Sequence, residues 1–319
     1  MTYDVVALGE LLIDFTMIRQ DEQGYPTMQA HPGGAPATFL ATLTKYGAST
    51  AMIGKVGQDA FGELLKGTLD KIGVDTTGVI MDPEVFTTLA FVTLDEQGER
   101  SFSFARKPGS DTRLKSEEVL RDQIEGTRVI HFGTLSLSHE PVRKATRDVV
   151  AYGKSIGKLI TFDPNLRRIL WDDLEQARHA MEWGLKKAHV VKLSDEELEF
   201  LYGEISWEQG VERLLREYDV SLVLLSLGAQ GCLAANRQGS VRVPALNGIT
   251  AVDTTGAGDV FGGSAVWKLL QMDCPPENLN EAQLREIAEF ACAAAGLATT
   301  KAGGLPSVPE LKQVLNCVG

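Results

Sequence analysis

Short apolar segments alternate with amphipathic segments along most of this chain of 319 residues. The apolar runs are residues 5–8, 51–53, 159–162, 190–193 and 222–225. The segments with helical spacing of apolar residues are 35–46, 59–72, 141–155, 174–187 and 207–218. Such an alternation predicts a mainly parallel β-sheet that is covered by helices on both faces.

One region departs from this alternation. Residues 87–94 and 100–105 flank the polar run 95–99 and predict a β-hairpin. Together with a glycine-containing segment near the N-terminus, the hairpin predicts a small β lid, formed by about residues 15–32 and 84–107. We expect this lid to belong to one domain that spans residues 1–319.

The lid also suggests an oligomeric state. Its strands carry the aromatic residues Phe91, Phe102 and Phe104. Exposed apolar sheet faces tend to be covered, so we expect a homodimer that forms through the lid.

Charge excludes two classes of partner. The formal net charge is −12, with 44% hydrophobic and 23% charged residues. Nucleic acids and anionic membranes require a basic face, so neither is expected as a partner. An acidic protein that binds a phosphorylated nucleotide must use local positive charge, backbone dipoles or Mg²⁺.

The cysteines and the N-terminus indicate the compartment. Cys232, Cys274, Cys292 and Cys317 are scattered and form no CxxC pair, so a zinc site or a disulfide framework is not expected. The apolar run 5–13 lacks a basic flank and is too short to span a membrane. We therefore expect a cytoplasmic protein.

The run Asp253-Thr254-Thr255-Gly256-Ala257-Gly258-Asp259 is the most informative motif. Its glycines let several backbone N–H groups turn toward one anion, at the start of a helix predicted for residues 260–270. Asp259 would either cap that helix or accept a proton from a substrate hydroxyl. No P-loop lysine follows, and no dinucleotide-binding fingerprint is present in the N-terminal turn.

Polar and glycine-rich segments also occur at the ends of several predicted strands and before a predicted helix. Asp14 follows the first strand, where ligands bind in open parallel sheets, although it would also suit an ordinary loop. The Gly33-Gly34 turn precedes a helix that contains Thr38, and it is either a simple helix start or a surface for a polyol. Asn165 and Arg167 follow an Asp163-Pro164 turn, which alone explains them less easily.

Three further segments leave alternatives open. Ser194 and Glu197 form a predicted capping box, which would also place Glu197 where it can hold Mg²⁺-bound water. The turn 226–231 is either a plain hairpin turn or a backbone surface for a nucleotide. The loop 298–307 would be a helix C-cap with Gly303 or Gly304 in the left-handed conformation.

Taken in order, Asp14, Gly33-Gly34, the turn 226–231 and the run 253–259 resemble the ribokinase-like (PfkB) carbohydrate kinase family along nearly the whole chain. Within that family the chain is most similar to fructokinases, through residues 33–37, 98–102, 106–111 and 163–167. The resemblance implies a three-layer α/β/α fold with a β-sheet lid, ATP·Mg²⁺ as phosphoryl donor and a sugar hydroxyl as acceptor.

The resemblance also implies roles for individual residues. Asp259 would be the catalytic base, and Gly256, Ala257 and Gly258 would form the anion hole. The implied sugar-binding residues are Asp14, Gly33, Gly34, Thr38, Arg106, Asn165 and Arg167. The implied nucleotide-binding residues are Ser194, Ser226, Gly228, Gly231 and Cys292. Glu197 is implied at the metal–water network, and a monovalent cation such as K⁺ is implied near Asp253, Thr255, Ala298, Lys301, Gly303 and Ser307.

Three positions depart from the family pattern. Thr38, Ser194 and Cys292 each stand where the family commonly has Asn. At Thr38 a single hydroxyl replaces the asparagine amide, which donates through its NH₂ group and accepts through its oxygen. The choice of sugar is therefore the property that we expect this change to affect most.

Alternatives to fructose phosphorylation remain open. A sugar acid such as 2-keto-3-deoxygluconate would pair with Arg106 or Arg167, and a pentose such as ribose is a third acceptor. A catalytically silent sugar-binding regulator would be expected to lack Asp259 or the glycines, and the chain retains them. A nucleotide-binding oxidoreductase would need the fingerprint that the N-terminal turn lacks.

Overall fold

The computed structural model describes residues 2–94, 100–272 and 274–318. The strands are β1 (Tyr3–Leu8), β2 (Leu12–Gln20), β3 (Pro26–Gly33), β4 (Thr50–Gly57), β5 (Asp75–Asp82), β6 (Thr88–Leu94), β7 (Arg100–Ala105), β8 (Thr127–Gly133), β9 (Leu159–Asp163), β10 (Val190–Ser194), β11 (Leu222–Ser226), β12 (Cys232–Asn236) and β13 (Gly239–Val243). The helices are α1 (Ala35–Lys45), α2 (Ala60–Ile72), α3 (Arg121–Glu125), α4 (Val142–Ser155), α5 (Leu174–Leu185), α6 (Asp195–Tyr202), α7 (Trp207–Glu217), α8 (Ala257–Leu270), α9 (Glu281–Ala298) and α10 (Leu311–Val318).

Nine of these strands form one large sheet in the order β13-β12-β11-β10-β9-β8-β1-β4-β5. All neighbours from β11 to β5 pair in parallel. The pairs β11–β12 and β12–β13 are antiparallel, because the turn 226–231 joins β11 directly to β12, and β12 alone of the described strands in this sheet runs against the others. The prediction of a mainly parallel α/β fold is confirmed, and the turn is the connection of a β-hairpin.

The large sheet is buried on both faces. Along β1, Val6 and Leu8 belong to one hydrophobic cluster, whereas Val5 and Ala7 belong to another. The first cluster includes apolar residues of α4, α5 and α7, and the second includes residues of α1, α2, α8 and α9. This alternation is the period of two that a strand requires between two helical layers.

Four strands form a separate small sheet in the order β3-β2-β6-β7. The predicted hairpin is present as antiparallel β6 and β7, and its connection 95–99 lies outside the described residues. Phe15 stacks on Phe91 with ring centroids 5.3 Å apart. Phe104 pairs with Ala90 rather than Phe91 in the strand register, so Phe91 and Phe104 lie on opposite faces. The side chain of Phe102 is not among those described.

In the portions of the chain that the structure describes, no helix has the length and the apolar character needed to cross a bilayer.

Candidate active site

The strand-end residues of the large sheet converge on one cavity of about 560 Å³. It lies at the carboxyl ends of the parallel strands, beside Asp14, Asn165 and Ser194, and the first turn of α8 closes one side with Asp259. Open α/β sheets bind ligands at this edge, and the volume suits a small molecule.

Helix α8 begins earlier than the sequence predicts, at Ala257 rather than at residue 260. Gly256 is its N-cap and adopts φ 79°, a left-handed conformation that favours glycine. The N–H of Ala257 is donated to the carbonyl of Thr254 over 3.2 Å. Helix geometry leaves the N–H groups of Gly258 and Asp259 without an intrahelical acceptor, so this helix start suits an anion.

Asp259 does not cap helix α8, because it stands inside the first turn. Its side chain is only 8% exposed. Burial, together with the nearby carboxylate of Asp163, raises the pKa of Asp259 to about 7, against the opposing charges of Lys192 and Arg167. A carboxyl group with this pKa is suited to exchange a proton near neutral pH.

Asn165 holds the Asp259 carboxylate. Its Nδ2 donates to Oδ1 of Asp259 over 2.8 Å. The backbone of Asn165 has φ 42°, and its N–H donates to Oδ1 of Asp163 over 3.1 Å. The Asp163-Pro164 turn was expected, whereas the contact between Asn165 and Asp259 joins residues 94 positions apart and could not be read from local spacing.

Lys192 was not among the residues singled out from the sequence. It lies on β10 with 9% exposure, lines the cavity and pairs with Asp163 at 3.0 Å. A Cβ atom placed on Gly258 would lie 3.0 Å from Lys192 Nζ, so the ammonium group is beside the start of α8. Burial alone would lower the pKa of Lys192, but the carboxylates of Asp163, Glu197 and Asp259 raise it overall. The site therefore contains a fixed positive charge.

Four of the residues expected to bind sugar meet on the side of the cavity formed by β2, β3 and the start of α1: Asp14, Gly33, Gly34 and Thr38. A Cβ atom on Gly33 would fall 2.2 Å from Oδ2 of Asp14, so the glycine makes room for that carboxylate. Thr38 Cγ2 lies 3.5 Å from the Cβ position of Gly256, so the two glycine turns are neighbours. Burial raises the pKa of Asp14 to about 6, with Arg167 acting in the opposite direction.

Glu10 is not among the site residues that the sequence predicts. The structure buries it at 5% exposure, where Oε1 accepts the N–H of Ala35 over 3.2 Å. It thereby fixes the Gly34 turn, whose φ of 113° and close approach to the Glu10 carbonyl exclude a side chain. Burial raises the pKa of Glu10 to about 7.

The predicted capping box at the start of α6 is confirmed. Ser194 Oγ accepts the N–H of Glu197, and Oε2 of Glu197 accepts the N–H of Ser194. The other oxygen, Oε1, accepts the N–H of Leu166 over 2.7 Å, which ties α6 to the loop after β9. Ser194, Glu196 and Glu197 all line the cavity.

Arg106 does not line the cavity. It is 4% exposed, and its guanidinium donates to Asp111, Ser138 and the carbonyl of Leu135. The hydrogen bonds to Leu135 and Ser138 hold the end of β7 to the segment after β8. Arg106 is therefore held by these buried partners and does not form part of the cavity wall.

The residues expected at the nucleotide are more dispersed. Ser226 is the strand neighbour of Ser194 at the same sheet edge, and Gly228 is exposed with open space around it. Gly231 has φ 92°, and a Cβ there would fall 2.0 Å from the Val243 carbonyl. Cys292, on α9, is instead buried in the hydrophobic cluster that α9 forms with β12.

Two loops meet beside the cavity. Asp253 accepts the N–H of Thr255 at Oδ1 and the N–H of Gly303 at Oδ2, over 2.9 and 2.8 Å. Gly303 lies so close to Thr255 that a side chain would clash. Helix α9 ends at Thr299 in an ordinary helical conformation, so Gly303 and Gly304 are not its C-cap. Ala298 and Ser307 are buried and Lys301 is exposed on the second loop.

A metal cage is not preformed here. Among the described residues, no three His, Cys, Asp or Glu side chains are placed to hold a metal ion together. Mg²⁺ commonly binds through one or two carboxylates, waters and substrate phosphates, so the carboxylates of Glu196 and Glu197 on the cavity wall fit such a shared ion.

Comparisons with a family model and with curated proteins both match this chain to carbohydrate kinases. The model of the "pfkB family carbohydrate kinase" family matches residues 2–311. Fructokinase-1 of Zea mays is 39% identical over 317 residues, which cover 98% of this chain and 97% of that protein. Fructokinase-2 of Solanum lycopersicum is 37% identical, and the match covers 98% of this chain and 94% of that protein.

Solved structures of this family superpose on the whole chain. A fructokinase from Xylella fastidiosa with bound ATP has a TM-score of 0.88 at 28% identity, and the match covers 100% of this chain and 98% of that one. A fructokinase from Vibrio cholerae, with fructose, ADP and calcium bound, has a TM-score of 0.88 at 31% identity and covers 99% of both chains. The chain described here belongs to the pfkB family of carbohydrate kinases.

Proposed function

We propose that this protein is an ATP-dependent fructokinase, with Asp259 as the base that accepts the proton of the sugar hydroxyl. One observation carries the proposal: Asp259 lies in the first turn of α8, in a cavity flanked by Asp14, Gly33 and Thr38 on one side and by Ser194 on the other. The fructokinases to which this chain is similar support fructose as the sugar and an adenine nucleotide as its partner substrate.

The sugar would bind between Asp14, the Gly33-Gly34 turn and Thr38. Asp14 and Thr38 offer oxygen acceptors to sugar hydroxyls, while the two glycines let the ring approach the backbone. Arg167 lines the same cavity and supplies a positive charge beside Asp14 and Asp259. In this arrangement the acceptor hydroxyl would face the Asp259 carboxylate.

The migrating phosphoryl group would meet the start of α8. The N–H groups around Gly256, Ala257 and Gly258, together with the helix dipole, would stabilise its negative charge. Lys192 adds a buried ammonium beside Gly258. Phosphoryl transfer depends mainly on alignment and charge stabilisation, so these groups and one base are sufficient chemistry.

The nucleotide would occupy the side of Ser194 and the turn that contains Ser226, Gly228 and Gly231. Cys292 lies behind this region in a hydrophobic cluster, so its contribution would be packing against the nucleotide side of the fold. Mg²⁺, when bound to the phosphates of ATP, would neutralise part of their charge. Glu197 would hold its water ligands, because its oxygens are already oriented by two backbone N–H groups.

A monovalent cation would fit between the two loops that Asp253 connects. The cation ligands would be chiefly backbone oxygens of the loop pair, which includes Thr255, Ala298, Lys301, Gly303 and Ser307. The Asp253 carboxylate instead fixes the loops to one another through the N–H groups of Thr255 and Gly303. Bound K⁺ would order this pair beside the anion hole.

The small sheet would act as a lid over the sugar, built from residues of about 15–32 and 84–107. Phe104 on β7 and Asp14 on β2 both line the cavity, which supports this role. Ile18 on β2 is 62% exposed, and Tyr25, directly before β3, is 69% exposed. We propose that these apolar side chains mediate a homodimer, and light scattering that shows a monomer at micromolar concentration would contradict it.

The cytoplasm is the compartment that fits the cysteines. All four are free in the structure, and Cys232 and Cys292 are buried as thiols. A reducing environment is where such thiols persist.

A sugar panel in an ATP-consumption assay tests the proposed function. Fructose should give the highest kcat/KM, above ribose and 2-keto-3-deoxygluconate. Of the two arginines considered for pairing with a sugar acid, Arg106 is buried against Asp111 and Arg167 lines the cavity. A preference for the acid would overturn fructose as substrate, and binding without turnover of any sugar would favour a silent regulator.

A further inference from the structure

A second cavity lies at the opposite edge of the large sheet, away from the proposed catalytic site. Its volume is about 480 Å³. Leu159 at the start of β9 lines it, as do His189 and Ser221, which directly precede β10 and β11. The same three strands end with Asp163, Ser194 and Ser226 at the edge of the sheet where the catalytic cavity lies, and Ser194 lines that cavity, so the two cavities lie toward opposite ends of these strands.

Three cationic side chains line this second cavity: Lys154, Lys158 and Arg237. Lys154 donates to the carbonyl of Lys187 over 3.1 Å, and Lys158 donates to the carbonyl of Glu125 over 2.7 Å. An ammonium group has three donors, so these single bonds fix both groups and leave two donors on each. Such a cluster is notable in a chain of net charge −12.

His189 adds a neutral donor. Its Nδ1 accepts the backbone N–H of Ile160 over 2.9 Å, which in the neutral ring places the proton on Nε2. Burial lowers the pKa of His189, and the charge of Lys154 lowers it further, so the ring stays neutral at pH 7. Its remaining N–H is therefore a donor of fixed tautomer on the cavity wall.

Two carboxylates limit how much negative charge the cavity would accept. Asp219 and Glu277 line it together with the hydroxyl-bearing Ser221. Arg237 lies 3.6 Å from Asp219, and both side chains are largely exposed. Carboxylates accept hydrogen bonds from hydroxyls and repel a second anionic group. This composition suits one compact anion attached to a neutral polyol better than a triphosphate.

We propose that this cavity is a second binding site for a sugar monophosphate. Lys154, Lys158 and His189 would bind the phosphate, and Asp219, Glu277 and Ser221 would bind the hydroxyls. A volume of about 480 Å³ is within the range of small-molecule sites. The proposal does not depend on the fructokinase assignment, because none of these residues belongs to the catalytic cavity.

The imidazole of His189 provides a local reporter. The chain has five histidines, so the ¹H NMR signals of its rings can be assigned with a His189→Gln variant. Inorganic phosphate and fructose 6-phosphate are titrated separately into the full-length protein without ATP. We expect both to shift the His189 signals, with fructose 6-phosphate binding more tightly.

The double variant Lys154→Gln/Lys158→Gln should bind fructose 6-phosphate at least about tenfold more weakly, because charge-assisted hydrogen bonds to the phosphate are lost. The matched control is Lys186→Gln/Lys312→Gln, which removes the same charge from two exposed positions outside both cavities. That control should bind like the wild type. Thermal unfolding of both variants checks that the fold is retained.

Three results would overturn the proposal. The first is a His189 signal that does not move up to about 10 mM ligand, where even a dissociation constant of about 1 mM gives a visible shift. The second is an equal loss of affinity for fructose 6-phosphate in the double variant and in its matched control. That result would show that binding responds to the net charge of the protein and not to the two cavity lysines. The third is equal affinity for the two probes, which would assign the cavity to free phosphate and remove the polyol part.

Discussion

The amide of Asn165 donates a hydrogen bond to the carboxylate of Asp259 over 2.8 Å. This bond stabilises the ionised form of Asp259, while burial favours the protonated form and raises its pKa to about 7. The left-handed backbone of Asn165, with φ 42°, directs the side chain from the loop after β9 toward the first turn of α8. The proposed base is thus held by a residue from a distant part of the chain.

The rate of the wild-type enzyme should depend on pH through Asp259. A base must be ionised to accept a proton, so kcat/KM for the sugar should rise with pH around an apparent pKa of about 7 and level off above it. Initial rates between pH 5.5 and 9 at saturating ATP measure this, with pH limits chosen about two units to either side of that pKa. A flat profile across pH 7 would contradict the assignment of Asp259 as base.

Asn165→Gly should shift that profile. Glycine tolerates the left-handed backbone, so the substitution removes the amide without straining the loop. A hydrogen bond to a charged group contributes about 1.5–3 kcal/mol, and about 1.4 kcal/mol corresponds to one pKa unit, so the apparent pKa should rise by roughly one to two. Asn165→Asp is the comparison: its negative charge should raise the apparent pKa further. An unchanged profile in both variants would mean that Asn165 does not control the base.

Asp259→Asn should remove most of kcat while sugar binding stays near the wild-type value. Asparagine has nearly the same shape and cannot accept the proton, and a general base typically contributes about 10²–10⁴-fold. Steady-state rates and calorimetric titration of the sugar measure the two quantities separately. Wild-type turnover in this variant would exclude Asp259 as base, whereas lost sugar affinity would point to a binding role.

The fold could be predicted from the sequence because its signal is local. Each buried strand is a short apolar run, and each covering helix carries apolar residues at helical spacing, so the parallel sheet follows from Val5–Leu8 and its later counterparts. Local patterns determine helix ends less closely. The sequence predicts the helix from residue 260, whereas Gly256 caps a helix that begins at Ala257, because a glycine in the left-handed conformation allows the chain to enter the helix there.

Parts of the site depended on long-range contacts that local patterns do not contain. Lys192 interrupts an otherwise apolar strand, and a buried lysine must be paired, so the sequence did carry a signal for it. Its partner Asp163 is on another strand and could not be read from spacing. Arg106 is a second example, because its hydrogen bonds to Leu135 and Ser138 arise only when the end of β7 packs against the segment after β8. Its ion pair with Asp111 is local, five positions along the chain.

Lys192→Met should lower both kcat and stability. It removes the ammonium beside Gly258 and leaves the carboxylate of Asp163 buried without its partner, a change that costs about 3–5 kcal/mol in comparable buried pairs. The double variant Lys192→Met/Asp163→Asn removes both charges, so it should regain most of the stability but not the activity. Urea unfolding and steady-state rates distinguish the two effects. Recovery of kcat along with stability would show that Lys192 acts only on the fold.

Glu10→Gln should stabilise the protein at pH 8 but not at acid pH. The pKa of Glu10 rises from 4.5 to about 7 on folding, so the native state binds this proton more tightly than the unfolded state. Stability is then lost as pH rises from about 4.5 to 7. Glutamine stays neutral and still accepts the N–H of Ala35, so its advantage at pH 8 should be on the order of 3 kcal/mol.

The pH dependence separates this effect from a general gain in stability. Urea unfolding of Glu10→Gln and wild type at pH 8 and pH 4.5 gives the two differences, and the advantage should disappear at the lower pH. Glu63→Gln is the control, because it makes the same substitution at an exposed position in the first turn of α2. An equal stabilisation of Glu10→Gln at both pH values would show that the Glu10 carboxylate is not destabilised by burial, and the cost would then have to be sought in packing around the Gly34 turn.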